Sequence, residues 1–348
     1  LNGLILKHLA GVSDLARLDI EAAGVTLEAK DNMLTAGYTG GYARGYRALP
    51  ISEDLEFSVS VSALRFKTIV SMFTDEDKVF IDVTDAGLDI RTKGSKAVLN
   101  HWGEVNDFAE LDKRNLEFSA RLPTEDLIRE IETAAEFVSE SQTNPAITGI
   151  KIAFGKELEF MSYDGGGALY RSRVNARVKG HGELIVPTQD FLLGAKLIGT
   201  GDTILAKPRG SDAIALFSKE ALFRSSLISA PFPDLSRVTR QQPSASFTVE
   251  AGMIRNLVAC AKALDAGPDI EVRANKNGTD VLFGSESESG SFTVSAKGRL
   301  ANALHYDAVT LGKVTRLGSV LSFAVPTKPT EATLVESDHR CCWIVTRI

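Results

Sequence analysis

The stretch YDGGGAL (163–169) sets three glycines after an aspartate, a turn whose backbone N–H groups could cradle a phosphate. The Lys-Ser/Thr pair that completes a P-loop is missing, and no GxGxxG with a downstream acid accompanies it. His8, His101, His181, His305 and His339 are scattered without metal-ligand spacing. Cys260, Cys341 and Cys342 are odd in number and two are adjacent, which argues against a disulfide framework and against tetrahedral zinc spacing. Asp75, Glu76 and Asp77 read as a solvated acidic turn, and no Cys-His or Ser-His-Asp signature stands out. The expectation is a chain without catalysis, metal or cofactor, which works by binding.

The elements that would present a binding surface come next. With 348 residues and 44% apolar content, the chain can bury substantial cores in two or three domains. No apolar run is long enough to span a bilayer, and Leu1 to Val12 lacks the apolar core and cleavage site of a secretory signal, so a soluble cytoplasmic protein is expected. A net charge of −6 disfavours nucleic acid if evenly spread; what matters is the sign on the contacting surface.

LPTEDLI (122–128) and VPTQDFL (186–192) share one pattern 64 positions apart. Each reads as a helix start, with Thr124 or Thr188 as N-cap and Asp126 or Asp190 complementing the helix dipole. Apolar stripes follow at helical spacing: Leu127, Ile128, Ile131, Ala135 and Val138 in one, Phe191, Ala195 and Ile198 in the other. Strand-like segments follow each. The same unit is read at 4–12, 61–73, 249–264 and 304–318, which makes six helix-plus-sheet units in three pairs. Polar, turn-rich stretches at 111–115 and 239–246 divide the chain into domains 1–114, 115–241 and 242–348. The expected fold class is α+β: two helices per domain packed on antiparallel sheets.

Three stretches carry a resemblance: LFRSSLISAPFPDLSRVTRQQP (222–243), MSYDGGGALYRSRV (161–174) and the ending CCWIVTRI. With the order of the units, they resemble the bacterial DNA sliding clamps, the β subunit family of DNA polymerase III. The resemblance covers the whole chain, most clearly in the middle domain. It implies a head-to-tail homodimeric ring with helices inside, encircling double-stranded DNA and tethering the replicative DNA polymerase. A clamp loader and other proteins carrying clamp-binding motifs are the further partners it implies.

If helices face a phosphate backbone, each should carry Lys or Arg. The candidates are Lys7, Arg65, Lys67, Arg129, Lys196, Arg255, Lys262, Lys313 and Arg316. Segment 122–140 departs from this pattern, because Arg129 is outnumbered there by Glu125, Asp126, Glu130, Glu132, Glu136 and Glu140. The resemblance also implies a groove for partner peptides between domains two and three. It would use Ile147, Asp164, Gly165, Pro233, Arg237, Val238, His305, Trp343, Ile344, Val345, Thr346, Arg347 and Ile348. The His-Arg-Leu that follows Asp-Gly in the family is here Gly166, Gly167 and Ala168, and Ala308 stands where a Tyr is expected. Two other classes fit the residues: a repeat-built β-rich scaffold without DNA, and an enzyme whose site assembles only in three dimensions.

Overall fold

The computed structural model describes every residue except 19–23, 106–107, 109–111, 142, 240–242, 264–268, 275–279, 285–290, 299, 301, 327, 329 and 347–348; for 280–284 it describes the backbone alone. One pattern recurs: a strand runs straight into a helix, and three antiparallel strands follow. At the start, Asn2, bridged to Lys78, leads into α1 (Gly3–Ala10), a 3-10 segment (Gly11–Leu18), β1 (Gly24–Lys30), β2 (Met33–Thr39) and β3 (Ala43–Pro50). The second unit is β4 (Phe57–Ser62), α2 (Ala63–Ser71), β5 (Phe80–Thr84), β6 (Gly87–Arg91) and β7 (Lys96–Asn100). The third is β8 (Leu116–Pro123), α3 (Thr124–Ala135), β9 (Gly149–Phe154), β10 (Leu158–Tyr163) and β11 (Ala168–Val174), with a short β12 (Arg177–Lys179). The fourth is β13 (Gly182–Pro187), α4 (Thr188–Ile198), β14 (Asp202–Pro208), β15 (Ala213–Phe217) and β16 (Ala221–Ser226). After a short α5 (Ser236–Thr239) come β17 (Pro243–Glu250), α6 (Ala251–Ala263), β18 (Asp269–Ala274), β19 (Asp280–Gly284) and β20 (Ser291–Gly298). The last unit is β21 (Leu304–Asp307), α7 (Ala308–Val314), β22 (Val320–Pro326), β23 (Thr333–Ser337) and β24 (Arg340–Ile344).

The fold class is therefore α+β, as read, but the leading strands change how the helices start. Thr124 and Thr188 are not N-caps: each is the first residue of its helix, and the residue before α4, Pro187, makes no side-chain cap bond. Because the strand stays hydrogen-bonded up to the helix, the threonine is drawn inward. Thr124 is fully buried and its Oγ1 lies 2.7 Å from Thr203 Oγ1. Residues 304–307, read as helix, form β21 instead; Leu304 and Tyr306 are buried and alternate with half-exposed His305 and Asp307, a period of two.

The leading strands also interlock the units. β4 leads into α2 but pairs with β1, β8 leads into α3 but pairs with β14, and β17 leads into α6 but pairs with β22. Removing one unit would strip a strand from another's sheet.

The chain packs into two compact units. The first comprises Leu1–Arg129, Ala176–Gly182 and Val186–Leu227. It holds a nine-stranded sheet ordered β12-β8-β14-β15-β16-β3-β2-β1-β4 and the three-stranded β5-β6-β7. The second comprises Glu130–Asn175, Glu183–Ile185 and Ile228–Ile348, on a twelve-stranded sheet ordered β13-β9-β10-β11-β24-β23-β22-β17-β20-β19-β18-β21. Each large sheet joins distant parts of the sequence, through β16 on β3 in the first and β11 on β24 in the second.

Apolar faces hold the helices to these sheets. Phe66, Phe191 and Phe223 in the first unit, and Phe160 and Phe323 in the second, are fully buried, each contributing about 1.5–3 kcal/mol of transfer free energy. α4 lies close to β16 because Gly194 has no side chain; a Cβ there would sit 2.2 Å from the ring of Phe223. α3 presents a different stripe from the one its hydrophobic residues predict. Leu127, Glu130, Ile131 and Ala134 are buried at i, i+3, i+4 and i+7, as are Thr124 and Thr133, while Ile128 and Ala135 are only half-buried. A glutamate thus occupies the core face.

Candidate peptide groove and basic helices

The turn between β10 and β11 is built around Asp164. Its Oδ1 accepts from the backbone N–H groups of Gly166 (3.1 Å), Gly167 (2.8 Å) and Ala168 (2.9 Å). The glycine-rich turn that looked able to cradle a phosphate therefore spends its donors on its own aspartate. Gly165 adopts φ +88, a left-handed conformation that L side chains rarely take, and a Cβ there would lie 3.2 Å from Ile147 Cδ1. From α7, Lys313 Nζ lies 3.5 Å from Asp164 Oδ2. The residue after β24 closes the turn, because Val345 N donates to Gly167 O at 2.9 Å. Ile147, Asp164, Gly165 and Val345 are thereby brought together.

Beside this turn the sheet carries an apolar patch. Leu169, Ala332 and Trp343 are buried, and Met161, Tyr163, Leu235, Val238, Leu334 and Cys341 pack on them partly exposed. Trp343 and Val238 meet here, as the resemblance implies. Met161, Tyr163 and Leu235 were missed, although alternation along β10, with Phe160 and Ser162 buried inward, could have placed the first two on this face. Burial raises the Cys341 thiol to about 11, so it stays a protonated apolar lining residue at neutral pH. Pro233 is half-buried and Arg237 exposed; His305 lies on β21 opposite Glu271 of β18. Ile344 is fully buried and Thr346 nearly so, while Arg347 and Ile348 lie outside the described residues.

The basic residues divide by their partners. In the first unit Lys7 pairs with Asp75 at 2.7 Å, Lys67 with Asp14, and Arg129 with Asp126 at 3.4 Å. Arg65 is exposed with no ion pair among the described residues, and Lys196 is exposed near the end of α4. In the second unit Lys262 is exposed and unpaired among the described residues, and Arg255 Nη1 donates to Thr315 O at 3.4 Å. Arg316 sits 3.9 Å from Glu136, and Lys313 is turned toward Asp164.

The second unit also buries an ionic network that no local pattern announces. Glu130, 2% exposed, accepts from Arg340 Nε at 2.9 Å and from its Nη2, from Tyr170 Oη at 2.8 Å, and faces His339 Nε2 at 2.9 Å. Burial alone would raise the Glu130 carboxyl, but the hydrogen bonds from Arg340 and His339 outweigh it and hold the group below its ordinary value. Burial and the neighbouring carboxylate push the Tyr170 phenol up. The network ties α3 to β24, the strand that carries Trp343 of the groove.

Among the described residues no three His, Cys, Asp or Glu side chains are placed to hold a metal, and no helix is long and apolar enough to cross a membrane. No family model matches the sequence, and no curated protein matches it. Solved structures do. The DNA polymerase III subunit β sliding clamp of Pseudomonas aeruginosa bound to griselimycin superposes with TM-score 0.86 at 16% identity, covering 100% of this chain and 98% of that one. The Thermotoga maritima β subunit gives TM-score 0.84 at 13% identity, over 100% and 98%. The Helicobacter pylori β clamp bound to a DNA ligase peptide gives 0.80 at 16% identity, over 99% and 97%. The chain thus has the bacterial sliding-clamp fold over its whole length.

Proposed function

We propose that this protein is a DNA sliding clamp: three domains, 1–114, 115–241 and 242–348, close head to tail with a second copy around duplex DNA. The ring tethers the replicative polymerase and other partners through the groove beside Asp164 and Trp343. The full-length likeness to sliding clamps carries this reading. The strand ledger supports the dimer. The third strands of the six units are β3, β7, β11, β16, β20 and β24, and four of them pair off as β16 with β3 and β11 with β24. Among the described residues β7 bonds β6 alone, and β20 bonds β19 along Ser291–Ser295 and β17 along Ala296–Gly298, leaving one edge of 291–295 open. Pairing β7 with β20 of a second copy repeats the internal junction and removes both edges. Val98 of β7 is 44% exposed, an apolar residue for such a junction to cover.

The groove suits an extended peptide with apolar anchors: an apolar floor, backbone-rich walls and a charged rim at Lys313 and Arg237. The duplex would be held without sequence preference by Arg65, Lys196, Arg255 and Lys262, with the paired cations adding less. Light scattering at micromolar concentration is expected to give the dimer mass, and Val98→Pro, which removes a strand donor from β7, to give the monomer. A wild-type monomer at that concentration would contradict the ring.

A further inference from the structure

The nine-stranded sheet carries an open cavity of about 570 Å³ that neither DNA nor the peptide groove accounts for. Lys113, Arg114, Arg121, Arg177 and Lys179 line it, with Glu117 the one carboxylate in the lining among the described residues. Glu117 is already engaged by Lys207 at 2.6 Å. Arg121 is matched by Asp202 at 2.7 Å, whereas Lys113, Arg114, Arg177 and Lys179 have no ion pair among the described residues. In a chain of net charge −6, this is a concentration of uncompensated positive charge.

Register explains why the cations converge. β12 pairs with β8 so that Arg177 stands directly opposite Arg121, and Lys179 opposite Ser119. Arg121 is in turn opposite Ile204 of β14, and Ile204 opposite Phe217 of β15. Directly opposed residues share a face, so two guanidiniums, an isoleucine and a phenylalanine form one row across four strands. Asp202 already takes Arg121 Nε and Nη2, so Arg177 is the member of this pair that a bound anion would satisfy. The cavity floor continues the row with Leu116, Ile204 and Phe217, and the Lys113 ammonium lies 5.4 Å from the centre of the Phe217 ring.

We propose that this cavity binds a nucleoside polyphosphate, its phosphates on the Arg177 and Lys179 rim and its ring system on the Leu116 and Ile204 floor. The volume falls in the range of small-molecule sites, and a ligand with one apolar and one multiply anionic end matches the two kinds of lining. A single-stranded nucleic acid fits less well, because Phe217 is 4% exposed and offers no open face for stacking.

Calorimetric titration of the full-length protein tests the proposal, with dATP and inorganic triphosphate as probes. dATP is expected to bind saturably and at least about tenfold more tightly than triphosphate, a difference of roughly 1.4 kcal/mol supplied by the apolar floor. Arg177→Ala combined with Lys179→Ala, both exposed positions, is expected to weaken dATP by about tenfold or more while leaving the thermal transition in place. Absence of saturable binding at millimolar dATP would overturn the proposal, as would binding indifferent to the double variant. Equal affinity for triphosphate would overturn the nucleoside assignment, and tighter binding of poly-glutamate or of a short oligothymidylate than of dATP would assign the cavity to a polymer instead.

Discussion

α3 and α4 open with nearly the same heptapeptide, yet they are fastened by opposite means. α4 is held by shape: Phe191, Ala195, Leu197 and Ile198 are buried, and Gly194 lets the helix backbone approach Phe223. α3 is held partly by charge: Glu130 takes a core position and is satisfied by Arg340, Tyr170 and His339, and just past the helix end Glu136 reaches Arg316. The acidity that sets α3 apart from the other helices is therefore partly consumed inside the protein. A shared helix-start pattern fixes where an element begins, not how it is anchored.

Substitutions at the two anchors should break this contrast most sharply. Glu130→Ala leaves a buried guanidinium without its carboxylate and is expected to cost about 3–5 kcal/mol, read by urea unfolding of the purified protein. Phe191→Ala should cost a similar ~3–5 kcal/mol through lost packing. Acid separates the two mechanisms. The folded-state pKa of Glu130 is depressed, so its stabilisation is full above the usual carboxylate range and is lost as pH falls through the folded value. Phe191→Ala should keep that acid sensitivity, and Glu130→Gln should flatten it; equal slopes for Glu130→Gln and wild type would remove the charge account of α3.

Smaller effects sharpen the comparison. Gly194→Ala places a methyl in the Phe223 ring and should cost about 1–3 kcal/mol by overpacking, measured as a lower thermal midpoint. Thr124→Val, which removes one hydroxyl of the buried Thr124 and Thr203 pair, should cost about 1–3 kcal/mol by leaving its partner unsatisfied. Smallest in stability is Arg65→Ala with Lys262→Ala, expected to shift unfolding by no more than about 0.5 kcal/mol each while shortening retention on DNA.

The contrast also shows what sequence could reveal. The six units and the apolar stripe of α4 were legible from large apolar residues at helical spacing. Glu130 was not, because a glutamate in an acidic helix reads as solvated, and its partner Arg340 lies 210 positions away, beyond any local pattern. β21 was missed because four residues show too little alternation to outweigh the helical residues after them. In the groove, Asp164, Gly165, Val238 and Trp343 came from the resemblance, whereas their setting came only with the fold: a turn that consumes its own donors and a Trp343 cluster shared with Met161 and Leu235.

The central claim is topological: the protein stays on DNA because it encircles it. Protein assembled on a circular duplex and separated from free protein by gel filtration should co-elute with the circle and be released when one restriction cut linearises it. Equal retention on the circle and on the cut duplex would show binding without encirclement and contradict the clamp.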